Sequence, residues 1–251
     1  MKEIENAYDI ESFFKEYQDM RSKKINANEL IEMPIIKTML PDLKDLSVID
    51  LGCGTGCMTS YFIGNKVKSI LGVDVSQNMI TEAINNNKYD NVLYKVLPLE
   101  QLSTINEKFD LAYSSLAFHY IEDFDKLIQD INSLLNDDGI LVFSQEHPLV
   151  TASILEKSTS KYVEMNNKRY YYLSDYNNMG ERHSKVAGTM LLTKYHRNFS
   201  YIINTLINHG FTILEVKESI ANKEAIQLVD KYKYQLDRPY FLFIKAKKIR
   251  N

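Results

Sequence analysis

The sequence has few cysteines and no excess of basic charge, and both absences exclude classes of function. Only Cys53 and Cys57 occur in its 251 residues, without the further ligands that a zinc site needs. We therefore expect no bound metal and two reduced thiols, which favours a cytoplasmic protein. The net charge is −3, and no arginine–aromatic stripe is visible, so nucleic acid is not expected as a partner.

Long apolar runs are also missing. None approaches the roughly 20 residues that a membrane-spanning helix needs, and the charged N-terminus does not resemble a signal peptide. Hydrophobic residues make up 45% of the chain and charged residues 25%, which is typical of a globular protein. We expect no membrane partner, and the oligomeric state stays open.

Short apolar runs alternate with helical patterns from residue 47 to about residue 147, which predicts a parallel sheet with helices on both faces. Ser76 is placed to cap one helix, and Phe124 begins the apolar face of another, which Gly139 is expected to close. The predicted strands are Ser47–Leu51, Ser69–Val73, Val92–Leu97, Phe109–Ser114 and Ile140–Ser144.

The flanking segments differ from this core. Residues 1–46 read as a helical cap broken near Asn26 and Pro34, and residues 149–197 as a tyrosine-rich insertion or lid with a hairpin around Asn166. The sheet pattern resumes over residues 198–251, with a polar helix near Asn222–Tyr234. We interpret residues 1–251 as one domain built on the core at 47–148.

The stretch "VIDLGCGTGCMT" contains three of the chain's nine glycines, Gly52, Gly54 and Gly56. Glycines between a first strand and a first helix let a ligand approach the backbone closely. Their G-x-G-x-G spacing departs from the dinucleotide fingerprint G-x-G-x-x-G. Asp50 would also repel a pyrophosphate, whereas it suits a ligand that carries an amino group.

Asp74 ends the second predicted strand, eighteen residues after Gly56, where a carboxylate can accept both hydroxyls of a ribose. An acid before G-x-G-x-G, followed by this second acid, resembles the class I S-adenosylmethionine (SAM)-dependent methyltransferases. The flanks "FFKEYQDMRSKKINANELIEMPIIKTMLPDL" and "FSQEHPLVTA" resemble a bacterial small-molecule subgroup of the methyltransferase type 11 proteins.

This resemblance implies an α/β fold, a doubly wound, Rossmann-like seven-stranded sheet, mostly parallel with the last strand antiparallel. It implies SAM as cofactor, S-adenosylhomocysteine (SAH) as product and a small-molecule acceptor. Pro98 stands where the family often has an adenine-binding acid, so Glu100 is either a substitute or a surface acid. The implied cofactor-binding residues are Tyr17, Arg21, Asp50, Gly52, Cys53, Gly54, Gly56, Asp74, Val75, Met79, Leu99, Glu100, Ser114, Ser115 and His119.

The acceptor site is expected near the fifth strand's carboxyl end and the insertion. His119 and His147 are candidate general bases because an imidazole titrates near neutrality; His119 alternatively lines the pocket or packs in the core. The alternative for His147 is that it and Pro148 only shape the turn after the strand, and the alternative for "KYHR" is a strand end. For Arg21 and Tyr17, it is a solvated arginine beside a half-buried tyrosine. The candidate acceptor-binding residues are Glu146, His147, Tyr176, Arg182, Tyr195, His196 and Arg197.

Two other functions share part of this pattern. A nucleotide-dependent oxidoreductase would keep the fold and Asp74, but it would not have this glycine spacing or Asp50. A non-catalytic SAM-binding protein would keep the glycine turn and lack an acceptor cavity. The sequence favours the methyltransferase and leaves the acceptor unnamed.

Overall fold

The computed structural model describes residues 7–22, 25–154, 162–166, 168–186 and 190–250. The strands within these residues are β1 (Ser47–Leu51), β2 (Ser69–Asp74), β3 (Val92–Val96), β4 (Phe109–Ser115), β5 (Leu135–Glu146), β6 (Tyr162–Met165), β7 (Lys168–Tyr171), β8 (Gly180–Val186), β9 (Met190–His196), β10 (Phe211–Glu218) and β11 (Phe241–Lys248). Seven of them form one sheet in the order β10-β11-β5-β4-β1-β2-β3. Six run parallel, and β11 is antiparallel to both neighbours, which confirms the predicted fold class.

Helices cover both faces of this sheet, as the alternating pattern predicts. The α-helices are α1 (Glu11–Ser22), α2 (Met33–Met39), α3 (Thr59–Gly64), α4 (Gln77–Asn86), α5 (Phe124–Leu134), α6 (Pro148–Thr151), α7 (Phe199–Asn208) and α8 (Lys223–Leu228). On one face α5 and α7 pack into an apolar cluster that includes Phe118 and Phe143. On the other face α2, α3 and α8 pack around Tyr113 and Phe243.

Local sequence signals explain most helix boundaries. The Ser76 hydroxyl accepts the Met79 N–H at 3.2 Å, and the Asp123 carboxylate accepts the Lys126 N–H at 2.9 Å, so both residues cap their helices. The prediction that Gly139 closes α5 is wrong. The helix ends at Leu134 because Leu135 already pairs with Phe109 in the sheet.

The cap and the C-terminal region differ in detail from their patterns. The Asn26 side chain accepts the Glu29 N–H at 3.0 Å, just before the π-helical turn Asn28–Glu32 begins. Pro34 lies in the first turn of α2 instead of breaking a helix. The polar helix predicted near Asn222–Tyr234 is two pieces, α8 and a 3₁₀ helix at Asp230–Leu236.

The insertion contributes two antiparallel hairpins, β6–β7 and β8–β9. Asn166 turns the first of them with φ of +50°, as its sequence indicates, while Asn167 lies outside the described residues. No helix among the described residues has the length and apolarity needed to cross a membrane.

Candidate functional site

The glycine turn connects β1 to α3 and has one glycine that faces open space. Gly52, Gly54 and Gly56 have φ values of +72°, +53° and +72°, a region that favours glycine. A Cβ at Gly52 would lie 2.5 Å from Ala117 Cβ, and one at Gly56 would lie 2.5 Å from Tyr94 Oη. A Cβ at Gly54 would meet nothing within 4 Å. Packing therefore requires the outer two glycines, whereas Gly54 presents bare backbone to a cavity.

Asp74, at the end of β2, is hydrogen-bonded to this turn. Its Oδ2 accepts the Gly54 N–H at 2.9 Å, and its Oδ1 accepts the Ser76 N–H at 3.0 Å. Burial raises the pKa of Asp74, although these N–H donors oppose the shift. The carboxylate is thus held in one orientation at the rim of the turn, with lone pairs left for hydroxyl donors.

Asp50 lies deeper, in β1, with 3% of its surface exposed. Burial and the nearby Asp74 raise its pKa to about 8. One buried and one half-buried carboxylate so placed suit a ligand that combines a cationic group with donor hydroxyls. These acceptors and the open side of Gly54 fit the amino group and ribose of SAM.

A single cavity of about 460 Å³ joins this turn to the insertion, within the size range of small-molecule sites. It extends from Asp74, Leu99 and Glu100 to Glu146, Leu192 and Lys194. Eleven of the predicted cofactor residues line it: Asp50, Gly52, Cys53, Gly54, Asp74, Val75, Met79, Leu99, Glu100, Ser115 and His119.

The other predicted cofactor residues are placed elsewhere or not described. Ser114 is fully buried, and its hydroxyl donates to the Leu51 carbonyl at 2.7 Å, so it joins two strands instead of lining the cavity. Gly56 packs against Tyr94. Tyr17 and Arg21 belong to α1, but their side chains fall outside the described part of the chain.

Sequence reasoning missed the contribution of the first residues. Ala7 and Tyr8, in a 3₁₀ turn, line the cavity. Asp9 fixes this turn, because its Oδ1 accepts the Ser76 hydroxyl at 2.6 Å and the Asn78 N–H at 3.1 Å. The N-terminal cap therefore docks on the start of α4, beside Asp74. Nothing in the local pattern of "AYD" indicates this long-range contact.

His119 lines the cavity but is not suited to act as a base. It is 3% exposed, and burial lowers its pKa to about 3. Its Nδ1 accepts the Glu146 N–H at 3.4 Å, so the neutral ring carries its hydrogen on Nε2. The imidazole stacks on Tyr120 with 4.3 Å between ring centroids. The neutral imidazole forms part of the cavity wall, and its Nε2–H is a candidate hydrogen-bond donor.

The placement of His147 corrects the prediction that it is a catalytic base. Its Nδ1 accepts the Leu149 N–H at 3.1 Å, which caps α6, and its Nε2 lies 2.9 Å from Glu218 Oε1. Both ring nitrogens are engaged in shaping the turn after β5. The residue does not line the cavity, and burial lowers its pKa.

The end of the cavity opposite Asp74 contains an ion pair. Lys194 Nζ lies 2.5 Å from Glu146 Oε1, and side-chain exposure is 7% for the lysine and 23% for the glutamate. Burial raises the pKa of Glu146, but Lys194 outweighs it and the pKa is lowered overall. The pair thus places a fixed carboxylate and a fixed ammonium at this end.

Lys194 is a functional candidate that sequence reasoning missed. Leu192, Lys194 and His196 alternate along β9 and are all buried, at 8%, 6% and 0% exposure. In a strand every second side chain points to the same face, so "LLTKYHR" places Leu192, Lys194 and His196 on one face. This pattern would have favoured Lys194 over Tyr195 as the residue facing the cavity.

The remaining predicted acceptor-binding residues anchor the insertion instead of lining the cavity. Arg182 donates to the Ala152 carbonyl at 2.8 and 3.0 Å. Arg197 donates to the Ile121 and Glu122 carbonyls and lies over the Phe124 ring. Arg197 thus ties the end of the insertion to the core, whereas Arg182 joins two parts of the insertion to each other.

Tyr176, Tyr195 and His196 make similar structural contacts. The Tyr176 hydroxyl accepts the N–H of Phe199 at 3.2 Å, and its carbonyl lies 2.9 Å from His196 Nε2. The Tyr195 hydroxyl donates to Glu122 at 3.4 Å. Of the seven predicted acceptor-binding residues, the structure brings only Glu146 to the cavity.

The family model described as a methyltransferase domain matches residues 42–195. A Haemophilus influenzae protein, described only as uncharacterized, is 35% identical over 97% of both chains.

Two solved structures are similar over most of this chain. A candidate SAM-dependent methyltransferase from Listeria monocytogenes is 31% identical with a TM-score of 0.77, covering 87% of this chain and 98% of its own. A SAM-dependent methyltransferase from Mesorhizobium loti is 29% identical with a TM-score of 0.78, covering 89% and 98%.

Proposed function

The chain belongs to the methyltransferase-domain family and is a SAM-dependent enzyme of class I, and from that premise we propose that its acceptor is a small organic molecule. The observation that carries the proposal is the single cavity that joins the glycine turn to the Glu146–Lys194 pair. One end suits the cofactor and the other presents polar groups in a largely buried space. A space of about 460 Å³ holds the cofactor and a small group beside it, which suits a small molecule.

We assign the cofactor end as follows. Asp74 accepts the ribose hydroxyls, and Asp50 meets the α-ammonium group of the methionyl part. Leu99, Val75 and Met79 supply the apolar surface for adenine, with Glu100 at its edge. Each of these residues lines the cavity, and the acids lie on the same side of the turn as Gly54. Tyr17 and Arg21 remain proposed contacts for the methionyl chain and its carboxylate.

Bound SAM supplies a methyl group on a sulfonium, which is already electrophilic. An acceptor lone pair forms the new bond to the methyl carbon while the carbon–sulfur bond breaks and its electrons remain on sulfur, giving SAH. The protein's contribution is alignment and exclusion of water. His119 contributes a neutral Nε2–H donor, and Glu146 and Lys194 orient the acceptor's polar groups.

The insertion, residues 149–197, forms one wall of the acceptor end in this proposal. Its Leu192 and Lys194 line the cavity, Arg197 fastens it to the core, and Arg182 joins two of its own parts. The segment 47–148 binds the cofactor, and the segments 1–46 and 198–251 complete the cap and the sheet. Acceptor selection then depends on the wall, because the cofactor half is shared across the fold.

The proposal is tested by incubating the protein with SAM and fractionated small-molecule extracts, and by measuring SAH release. A fraction that supports SAH release and yields a product heavier by one methyl group supports a small-molecule acceptor. A Lys194→Met variant, which alters the acceptor end, should bind SAM normally and lose turnover. Release only with protein or RNA fractions would refute the proposal, and no release from any fraction despite SAM binding would favour a non-catalytic SAM-binding protein.

A further inference from the structure

A second cavity, of about 470 Å³, lies between the β6–β7 hairpin and the loop before β11. Its lining contains three cationic side chains, three tyrosines and one carboxylate, that of Asp237. The cations and rings are Lys168, Arg169, Arg238, Tyr170, Tyr171 and Tyr172. A cavity with this composition favours an anionic ligand that has a flat part.

Arg238 is a largely buried residue of this cavity's lining and not a surface cation. It is 8% exposed, and its guanidinium lies 4.0 Å from the centre of the Tyr171 ring. Burial lowers its pKa, which reflects the cost of holding this charge away from water. A buried, stacked guanidinium keeps a fixed orientation and recognises carboxylate or phosphate with two parallel donors.

Arg169 is held by aromatic rings on the neighbouring wall. Its guanidinium lies 4.0 Å from the Tyr162 ring and 3.6 Å from the Tyr234 ring. Its Nε lies 3.4 Å from Glu164 Oε2, and its backbone N–H donates to Asp237 at 3.3 Å. Glu146, which is paired with Lys194, also acts on Arg238. Lys168, Arg169, Arg238 and Lys194 together still outnumber the carboxylates of Glu164, Asp237 and Glu146 by one.

The second cavity adjoins the acceptor end of the first. Glu146 and Phe241 line the first cavity, and Leu149 and Arg238, each three residues away along the same segments, line the second. Three extended residues span at most about 11 Å. The His147 N–H donates to the Tyr240 carbonyl at 2.8 Å, so the two segments are joined. The linings of the two cavities are therefore neighbours.

We propose that the second cavity binds an anionic group, carboxylate or phosphate, attached to a flat part of the acceptor whose other end is methylated beside Glu146 and Lys194. The inference rests on the proposed function and adds a substrate class to it. Arg238 and Lys168 hold the anion, and Tyr170 and Tyr171 supply flat surface. The methylated atom then lies at a distance from the anionic group, set by the spacing of the two cavities.

Binding of phenyl phosphate and of benzoate to the whole protein, measured by calorimetry, tests the inference without a known acceptor. We expect saturable binding of at least one of them, and none of the neutral analogue phenol. Lys168 is exposed, so Lys168→Glu should keep the fold and weaken binding by roughly tenfold or more. The matched control is Lys88→Glu, an exposed lysine at the opposite edge of the sheet. Arg238→Gln, checked by its melting temperature, should weaken binding at least as much.

Failure of both probes to bind wild-type protein, or equal weakening by Lys168→Glu and Lys88→Glu, would overturn the inference. Inorganic phosphate that binds as tightly as phenyl phosphate would overturn the role of the tyrosines. SAM is titrated into the same samples. SAM binding without probe binding refutes this subsite alone, whereas loss of SAM binding in the wild-type protein refutes the proposed function itself.

Discussion

The Gly54 N–H donates to Asp74 Oδ2 across 2.9 Å. This bond joins the glycine turn after β1 to the acid that ends β2, so the backbone and the carboxylate are already fixed relative to each other before a cofactor binds. The conformational entropy of these two groups is therefore lost when the chain folds, and cofactor binding does not lose it again. The cofactor end of the cavity is therefore preorganised.

Replacing Asp74 by alanine should weaken SAM binding by about 1.5–3 kcal/mol, the value of hydrogen bonds to a charged group. The substitution removes the proposed ribose acceptor and also the partner of the Gly54 and Ser76 N–H groups. Calorimetric titration measures the affinity for SAM. The control is Asp90→Ala, which removes an exposed acid before β3. Unchanged affinity in a folded Asp74→Ala protein would exclude Asp74 from the site.

SAM binding at pH 7 should release about one proton from Asp50. Its pKa of about 8 leaves the unliganded carboxyl mostly protonated, and the cofactor's ammonium favours the ionised form. Calorimetry in two buffers of different ionisation enthalpy gives the number of protons. Asp50→Asn should bind more weakly and release none. Equal release by the variant would show that another group is responsible.

The same shift predicts how stability depends on pH. Because the pKa of Asp50 is raised on folding from its ordinary value of 3.8, the folded state binds more protons than the unfolded state between about pH 4 and 8. Stability of the unliganded protein should therefore fall as pH rises through that window. Across this pH range, the melting temperature of the unliganded protein should fall less for Asp50→Asn than for the wild-type protein. A steeper fall in the variant would contradict the assignment.

His119 should stay neutral throughout the physiological range, because burial lowers its pKa to about 3. Nuclear magnetic resonance of the histidine rings measures their protonation as a function of pH. The signal that disappears in His119→Gln belongs to His119, one of the five histidines. We expect its chemical shift to remain constant from pH 8 down to pH 5. A midpoint near 6.5 would restore His119 as a candidate general base.

Lys194→Met should destabilise the protein by about 2–4 kcal/mol, because it leaves the Glu146 carboxylate without its cation. The estimate lies below that for fully buried pairs, since the Glu146 side chain is 23% exposed. The double variant Glu146→Gln, Lys194→Met should recover part of the loss. Chemical denaturation measures each free energy of unfolding. Additive losses would mean that the two residues do not stabilise each other.

The inner part of the sheet could be predicted because strands such as β1 and β4 are continuous apolar runs that are buried on both faces. The predicted Ser47–Leu51 coincides with β1, and the ends of β2, β3 and β4 differ by one residue. β5 begins five residues before the predicted Ile140. Its first residue, Leu135, pairs with Phe109, a tertiary contact that overrides the helical pattern of "LLNDDG".

The acceptor end could not be predicted in the same way. Lys194 and Glu146 are 48 residues apart, and their contact depends on how β9 docks against the end of β5. His147 looked catalytic because it follows a strand end, but a histidine that begins a helix is equally able to cap it, and that is its position. Local patterns identify strand ends; they do not determine which way the side chains beyond them point.

Titration of SAM into wild-type protein, Gly54→Val and Gly64→Val tests the central claim most directly. Both glycines have room for a Cβ, but Gly54 faces the cavity, and Gly64 ends α3 away from its lining. The positive φ of Gly54 makes its variant less stable by roughly 1–3 kcal/mol, so melting temperatures are recorded without ligand. We expect wild-type protein and Gly64→Val to bind SAM and not NAD, and folded Gly54→Val to bind neither. Normal SAM affinity in Gly54→Val would show that the cofactor does not lie against this turn.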